Sequence, residues 1–260
     1  MLLFDIDGVI RDVSASYRRA IVETVHHYSG WRPEATAIDG LKGEGRWNND
    51  WEASQELLRR HRHECGDSTP LPRFEELVAV FSGHYFGGDP EGDPAAWRGF
   101  IGNEPLQVDW AFFGALAAVG IAWGFVSGAE PPSARYVLEQ RLGLVDPPLI
   151  AMGDAPDKPD PSGLLQLADR LLRSGGGPGL GSGAPTVAYL GDTVADVQTV
   201  LQARLREPQQ RFVSLAVAPP HLHGPGLLEA RRRYEQNLVE AGADRILAST
   251  EALLGLAAEL

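Results

Sequence analysis

The stretch MLLFDIDGVI, residues 1–10, decides the fold. Its short apolar run leads into Asp5 and Asp7, and Gly8 follows at once. This order is typical of a buried strand whose carboxyl end opens into a loop. Because open α/β sheets bind ligands beyond the carboxyl ends of their strands, the two carboxylates are candidates for catalysis. One could act as a nucleophile and the other as a general acid and base.

Two other interpretations of these residues are a solvated turn and part of a calcium-binding loop. A loop of the EF-hand type requires a third acidic or Asn position before its glycine and a Glu six residues after it. Here Gly8 follows Asp7 directly, and Ser14 occupies the sixth position after the glycine. The sequence therefore favours a catalytic pair, with a solvated turn as the alternative.

The composition limits the class of protein. The 260 residues suffice for one large domain or two unequal ones, and 43% hydrophobic with 22% charged residues predicts a packed core. The net charge of −12 argues against a nucleic-acid partner, which needs a basic face. A small anionic substrate would need a local cationic pocket or a metal ion to offset this charge.

Cysteine use and the first residues favour a cytoplasmic location. The single Cys65 cannot form an internal disulfide, as expected in a reducing compartment. The early aspartates interrupt the first apolar run, so we expect no signal peptide there. Residues 110–129 carry no charge and are long enough to span a bilayer. Because glycines divide this segment, we expect instead a helix over 110–119 and a buried strand over 121–126, with no membrane partner.

The hydrophobic pattern beyond the first strand divides the chain into two parts. Residues 14–86 are expected to be largely helical, since segments 14–29, 49–64 and 73–86 have apolar positions at helical spacing. The Gly/Pro-rich segment 87–99 ends this region. Helices and strands then alternate, which predicts a parallel sheet with helices on both faces. The expected strands are 121–126, about 148–152, 186–190, 211–217 and 244–248, and the expected helices are 131–141, 161–173, 192–205, 226–241 and 250–260.

The predicted fold class is α/β. We expect a doubly wound, Rossmann-like parallel-sheet core into which an α-helical cap domain is inserted after the first strand. The core would comprise residues 1–13 and 100–260, and the cap with its return linker would comprise residues 14–99.

Two further candidate sites follow later strands. Ser127 and Gly128 end the strand IAWGFV, where a hydroxyl and backbone N–H groups can hold a phosphate, although a plain turn serine is the alternative. Lys158 precedes the helix expected from residue 161 and is one of only two lysines, against 21 arginines. A compact ammonium suits a site that contacts both a phosphate and a carboxylate. An exposed surface lysine is the alternative.

The segment TVAYLGDTVAD places Asp192 and Asp196 beyond another buried strand. Four residues apart, they would share one face of a helix. The alternatives are a helix N-cap for Asp192 and a partner of the helix dipole for Asp196.

The four motifs, in this order, resemble those of the haloacid dehalogenase superfamily, in the branch with a helical cap between the first and second motifs (subfamily IA). The resemblance covers nearly the whole chain. It rests on D-x-D-G at residues 5–8, Ser127, Lys158 and G-D-x-x-x-D at residues 191–196.

This resemblance implies a Mg²⁺-dependent phosphatase that hydrolyses a small phosphomonoester metabolite. Asp5 would form an aspartyl-phosphate, and Asp7 would protonate the leaving alkoxide and then activate water. Asp5, the backbone carbonyl of Asp7 and Asp192 would hold Mg²⁺, with Asp196 bound directly or through water. Ser127, Gly128 and Lys158 would bind the transferring phosphoryl group.

The acid at position 7 argues against dehalogenation, because a halide leaving group needs no proton. A phosphosugar mutase that uses the same aspartyl-phosphate is the alternative activity.

The segment LKGEGRWNNDW, residues 41–51, is the candidate for substrate recognition in the cap. Lys42 and Arg46 could bind anions, and the amides of Asn48 and Asn49 could bind polar groups. The alternative is a helix N-terminus capped by Asn49 or Asp50; the two interpretations are compatible. The segment also resembles a cyanobacterial-type group of the superfamily, which points toward histidinol phosphate as the substrate.

Overall fold

The structure, a computed structural model, describes residues 1–47 and 49–256. Its strands are β1 (Leu2–Phe4), β2 (Trp123–Val126), β3 (Leu149–Ile150), β4 (Val187–Gly191), β5 (Phe212–Val217) and β6 (Arg245–Leu247). They form one six-stranded parallel sheet in the order β3-β2-β1-β4-β5-β6. The strands predicted from the sequence and the doubly wound sheet are confirmed.

The chain forms two compact units. The core unit comprises Met1–Asp12 and Leu106–Leu260, and the helical unit comprises Val13–Pro105. The helical unit contains α1 (Tyr17–Ser29), α2 (Ala35–Lys42), α3 (Asp50–Cys65) and α4 (Phe74–Tyr85). The helices of the core unit are α5 (Trp110–Ala118), α6 (Pro131–Arg135), α7 (Ser162–Ser174), α8 (Val194–Arg206) and α9 (Leu228–Ala241).

Two of the expected helices differ in detail. The segment expected over 131–141 begins as α6 and continues as a π-helical stretch, Tyr136–Arg141. The helix expected over 250–260 is a short 3₁₀ helix, Glu251–Gly255, and residues 257–260 lie outside the described part of the chain.

The helical unit ends at Pro105, beyond the return predicted at residue 99. Residues 100–105 belong with the helices because of their contacts. The guanidinium of Arg19 lies 4.2 Å from the centre of the Phe100 ring. The buried carboxylate of Glu104 accepts hydrogen bonds from the hydroxyls of Ser16 and Tyr85. These contacts hold the returning chain against α1 and α4.

The position of β1 places the first motif at the middle of the sheet. In the register of the sheet, Phe4 pairs with Phe125 of β2 on one side and with Leu190 of β4 on the other. The strand order reverses between β1 and β4, which is where open α/β sheets bind ligands. Asp5 lies directly beyond Phe4, and Asp192 lies directly beyond the end of β4.

Aromatic packing fixes β1 against α5. The Phe4 ring is fully buried and makes edge contacts with Phe112 and Phe113 at centroid distances of 5.9 and 5.8 Å. Such pairs contribute about 0.5–1.5 kcal/mol each beyond the area that they bury. The backbone just before the first motif is therefore rigid.

The uncharged segment 110–129 folds as predicted, into α5 and β2. In the described part of the chain, none of the helices combines the length and the apolar character that a membrane-spanning segment needs.

Candidate active site

Three buried aspartates meet at the carboxyl edge of the sheet. Asp5, Asp192 and Asp196 each offer a carboxylate oxygen, and these oxygens lie within 4.8 Å of one another. The Asp5 N–H donates to the Leu190 carbonyl at 2.9 Å, which ties the end of β1 to β4. The sheet register thus brings the first and fourth motifs together.

Two glycines make this close approach possible. Gly8 has a φ of +76°, and a Cβ at this position would lie 2.0 Å from the Asp192 Oδ2 atom. A Cβ at Gly191 would lie 2.2 Å from the Cβ of Asp196. The spacing of the carboxylates therefore requires glycine in both motifs, and the positive φ of Gly8 favours glycine at that position as well.

Lys158 brings the third motif into the same cluster. Its Nζ atom lies 2.8 Å from Asp5 Oδ2 and 2.5 Å from Asp196 Oδ1. It also donates to the Tyr189 hydroxyl at 3.1 Å. Because Lys158 is 9% exposed, the alternative of a surface lysine is wrong.

Tyr189 is a member of the cluster that the sequence analysis missed. Its hydroxyl lies 3.1 Å from Asp196 Oδ1 and 2.8 Å from the Val126 carbonyl oxygen. A polar hydroxyl within the otherwise apolar run VAYL, three residues before Asp192, is the signal that could have identified it.

Burial dominates the acid-base properties of this cluster. Desolvation raises the pKa of Asp5 to about 6, although the Lys158 ammonium opposes the rise. Desolvation, reinforced by the charge of Asp196, raises the pKa of Asp192 well above its usual range. Burial acts in the same direction on Asp196. There, however, Lys158 and hydrogen bonds from Thr193 outweigh it, and the pKa of Asp196 is lowered. Asp196 is thus the ionised partner of Lys158.

The helix that follows β4 determines how Asp196 is held. Thr193 is the N-cap of α8, and it forms a capping box with Asp196. The interpretation of Asp192 as an N-cap is therefore wrong. The interpretation of Asp196 as a first-turn acidic residue is confirmed, and the same carboxylate also contacts Lys158. Asp192 precedes the helix, so the sheet and the capped turn, rather than one helical face, bring the two aspartates together.

The Asp192 carboxyl group is held differently from those of Asp5 and Asp196. Within residues 1–47 and 49–256 it forms no hydrogen bond or ion pair, although the residue is only 8% exposed. Three carboxylates here face one ammonium. Oxygen donors with excess negative charge suit Mg²⁺, which binds through a few carboxylates together with substrate phosphate. The residues present therefore fit a magnesium ion.

Ser127 and Gly128 lie in the loop directly after β2. The Ser127 hydroxyl accepts a hydrogen bond from the Ala129 N–H at 3.2 Å, and Ser127 N–H donates to the Ile150 carbonyl at 3.0 Å. Ser127 therefore forms a turn, and its role in phosphate binding stays a prediction. The hydroxyl proton of this serine can still be donated to a ligand.

Asp7 occupies a different environment from Asp5. Its side chain is 25% exposed, and its Oδ1 atom accepts a hydrogen bond from Arg11 Nε at 2.6 Å. Arg11 was not identified from the sequence, in which an arginine after DGVI has no distinguishing pattern.

The candidate recognition residues of the helical unit have structural partners. Asn49 caps α3 by accepting from the N–H groups of Trp51 and Glu52, so the N-cap interpretation is confirmed for this residue. Lys42 is ion-paired with Asp50. Arg46 is 70% exposed and lies 3.5 Å from Glu44. Asn48 lies outside the described residues.

The same segment borders a cavity of about 410 Å³ within the helical unit. Its walls include Glu44 and Arg60, which form a two-point ion pair at 2.7 and 3.0 Å. They also include Trp31 and His61, whose rings stack at 4.4 Å. Lys42, Arg46 and Asn49 are not among the lining residues.

Comparison with known proteins identifies the relatives of the chain. A family model described as haloacid dehalogenase-like hydrolase matches residues 1–204. A solved phosphonoacetaldehyde hydrolase-like protein from Oleispira antarctica is 17% identical with a TM-score of 0.69, and the match covers 99% of this chain and 91% of that one. A phosphatase from Thermococcus thioreducens is 20% identical with a TM-score of 0.58, covering 92% and 98% of the two chains. Likeness at these identities shows a shared fold.

One curated relative is more similar in sequence. An imidazoleglycerol-phosphate dehydratase from Phytophthora nicotianae is 30% identical over 200 residues. The match covers 75% of this chain and 40% of that protein. The chain thus spans about two fifths of the length of this relative.

Proposed function

Because this chain belongs to the haloacid dehalogenase-like hydrolases, we propose that it is a Mg²⁺-dependent phosphatase of a small phosphomonoester metabolite. The observation that carries the proposal is the contact of Lys158 with both Asp5 and Asp196 beside the unpaired carboxylate of Asp192. The arrangement combines a nucleophile, a cation and acidic groups that could bind a metal ion. It lies at the edge where open α/β sheets bind ligands.

The reaction proceeds in two halves. In the first, a carboxylate oxygen of Asp5 forms a bond to phosphorus while the bond from phosphorus to the ester oxygen breaks, and Asp7 gives its proton to the departing alkoxide. In the second, water attacks the phosphorus of the aspartyl-phosphate and loses a proton to Asp7, which releases inorganic phosphate and restores both carboxyl groups.

The remaining core residues handle the phosphoryl group. The Lys158 ammonium, which Asp5 and Asp196 keep charged against the effect of burial on its pKa, attracts the phosphoryl oxygens to the nucleophile. The hydroxyl of Ser127 and the backbone at Gly128 lie at the same edge and donate to those oxygens. Preorganised donors of this kind stabilise charge that develops during transfer.

Magnesium would be held by Asp5, the backbone carbonyl of Asp7 and Asp192. Both carboxylate oxygens of Asp196 are already engaged, Oδ1 with Lys158 and Oδ2 with the N–H and hydroxyl of Thr193. This favours contact of Asp196 with the ion through water. When bound, the ion supplies positive charge that offsets repulsion between the substrate phosphate and the aspartates.

The substrate that the comparisons favour is an imidazole-bearing phosphomonoester. The curated relative is named for imidazoleglycerol phosphate, and the resemblance of residues 41–51 to a cyanobacterial-type group of the superfamily points toward histidinol phosphate. Both molecules carry an imidazole ring and a phosphate ester on one carbon chain. We therefore propose histidinol phosphate as the substrate. Lys42, Arg46, Asn48 and Asn49 are proposed to bind its leaving group.

A panel of phosphomonoesters tests this proposal. The purified protein should release inorganic phosphate with Mg²⁺ present, and histidinol phosphate should have the highest kcat/KM of the panel. Isomerisation of a sugar phosphate with no net release of phosphate would instead identify the mutase that the sequence left open. Absence of both reactions across the panel would overturn the proposed function.

A further inference from the structure

Arg11 is a fully buried arginine that contacts Asp7, the candidate acid and base. Its guanidinium has no solvent exposure. The Nε atom donates to Asp7 Oδ1 at 2.6 Å, and the Nη2 atom donates to Ser133 Oγ at 2.8 Å. An arginine remains charged when buried, so such a position is stable only with fixed, hydrogen-bonded partners.

The backbone around Arg11 is fixed as well. The Arg11 N–H donates to the Ile6 carbonyl at 3.2 Å, and the Gly8 N–H donates to the Arg11 carbonyl at 2.9 Å. Arg11 also forms an antiparallel bridge with Leu106, where the chain re-enters the core unit. The turn that carries Asp7 is therefore closed by the same residue whose side chain contacts the Asp7 carboxylate.

The exposures of the two partners indicate what Arg11 can do. The Asp7 side chain is 25% exposed and Arg11 is not exposed at all. Substrate can therefore reach the Asp7 carboxylate, whereas the guanidinium is shielded from it. Ser133, also fully buried and located on α6, anchors the far end of the guanidinium. Arg11 thus connects the loop after β1 to the helix after β2.

We propose that Arg11 is a positioning residue for proton transfer: it fixes the Asp7 carboxylate where it can reach the leaving oxygen and the attacking water. The proposal rests on the phosphatase function and adds a residue outside the four motifs. Proton transfer requires the acid within hydrogen-bond reach of the reacting atom. A carboxylate with free side-chain torsions would spend much of its time elsewhere.

Leaving-group chemistry separates this role from a merely structural one. An alkyl phosphate expels an alkoxide that must be protonated, whereas p-nitrophenyl phosphate expels a stable phenolate that needs no proton. Formation of the aspartyl-phosphate should therefore depend on Arg11 for the alkyl ester only. Hydrolysis of the aspartyl-phosphate needs a proton acceptor with either substrate, so it should depend on Arg11 in both cases.

The experiment is rapid-quench kinetics on the Mg²⁺-loaded protein with wild type, Arg11→Met, Arg11→Lys and Ser133→Ala. For Arg11→Met, we expect the first turnover of the alkyl ester to slow by about 10–100-fold, the scale of a displaced acid/base group. With p-nitrophenyl phosphate, the rate of the first turnover should stay within about threefold of wild type. Because hydrolysis of the aspartyl-phosphate is slowed, p-nitrophenolate should appear as a burst followed by a slow steady state. Arg11→Lys should recover part of the alkyl-ester rate.

Arg173→Met is the matched control. Arg173 pairs with Asp169 at the same four-residue spacing and 2.7 Å, but on the exposed surface of α7. This variant should leave both substrates unaffected.

Each outcome decides the proposal. Equal slowing of the first turnover with both substrates, or no slowing with either, overturns it. If Arg11→Met does not fold, as judged by thermal melts, the same comparison is made with Arg11→Lys and Ser133→Ala, which keep the buried volume nearly filled. Slower first turnover of the alkyl ester alone supports the proposal, and equal slowing with both substrates, or no slowing with either, overturns it. If the wild type turns over no ester at all, the proposed function itself fails and the role of Arg11 fails with it.

Discussion

The Nζ atom of Lys158 lies 2.8 Å from Oδ2 of Asp5, although Asp5 precedes the helical unit in the sequence and Lys158 follows it. The other oxygen, Oδ1, accepts a hydrogen bond from the Ile6 N–H at 2.8 Å. The carboxylate is thus held at both oxygens, and its orientation is set before substrate binds. Preorganisation of this kind lowers the entropic cost of bringing the nucleophile to phosphorus.

The first prediction concerns this nucleophile. Asp5→Asn should lower phosphate release by more than roughly 10³-fold, because an amide of the same shape cannot attack phosphorus. Steady-state phosphate release measures the loss, and a thermal melt checks the fold. Asp169→Asn, at a half-buried aspartate of α7 outside the four motifs, is the control and should behave as wild type. Activity of Asp5→Asn within tenfold of wild type would be incompatible with the assignment.

The second prediction concerns the metal. Chelation with EDTA should remove activity, and Mg²⁺ should restore it. Asp192→Ala should raise the Mg²⁺ concentration required for half-maximal activity strongly, because Asp192 is the carboxylate that has no other partner among the described residues. Titration of activity against Mg²⁺ gives this value for each variant. Full activity in metal-free buffer would contradict the site as described.

The third prediction concerns the stability of the metal-free protein. The pKa of Asp192 is raised on folding, so the folded state holds its proton more tightly than the unfolded state. The contribution of this group to the free energy of unfolding is therefore fully present below the pKa that Asp192 has in the unfolded state. It is lost as the pH rises toward the pKa that Asp192 has in the folded state. Asp192→Asn removes this loss, and its melting temperature should exceed that of wild type by an amount that grows from pH 4 to 7.

Thermal melts in EDTA measure this difference, and saturating Mg²⁺ should reduce or reverse it by stabilising wild type alone. A difference between the two melting temperatures that does not change with pH would show that folding does not raise the pKa of Asp192.

The fourth prediction concerns the cap. Lys42→Ala should lower kcat/KM for the best metabolite. The loss should correspond to roughly 1–3 kcal/mol of transition-state stabilisation, the scale of a lost charged or buried polar contact. Activity on p-nitrophenyl phosphate should barely change, because its leaving group offers little to hold. Parallel loss on both substrates with an intact fold would place substrate recognition elsewhere.

Asn49 needs a different substitution because it caps α3. Replacement of an N-cap residue by alanine lowers the stability of the protein by about 1 kcal/mol, and this loss would obscure an effect on binding. Asn49→Ser retains the capping oxygen and removes the amide. If the amide binds the leaving group, Asn49→Ser should lose kcat/KM for the metabolite while its thermal melt stays close to wild type.

The strands and the four motifs could be predicted because each has a local signal. Buried parallel strands such as β4 are continuous apolar runs, and each motif directly follows one. The helix α2 was not among the predicted helical segments, because ATAIDGLK is short and contains Gly40 near its end. Isolated helices of this length are marginal, and packing stabilises them.

The contacts that complete the site depend on strand pairing, so the sequence analysis missed them. Tyr189 reaches Asp196 and Lys158 because its side chain leaves β4 on the side that faces them. Thr193 takes the N-cap that Asp192 could have taken, because both residues are good caps and only the bend after β4 decides between them. Arg11, in the loop after β1, contacts Ser133 on α6, which is distant in sequence.

Identification of the phosphorylated residue tests the central claim most directly. The protein is mixed with its best substrate and Mg²⁺, quenched in acid during turnover, and digested for mass spectrometry. The account predicts one phosphoryl group on the peptide that contains Asp5, formed and lost at rates that match turnover and absent in Asp5→Asn. A phosphoryl group on a different residue, or an unmodified chain throughout turnover under conditions that preserve acyl phosphates, would contradict it.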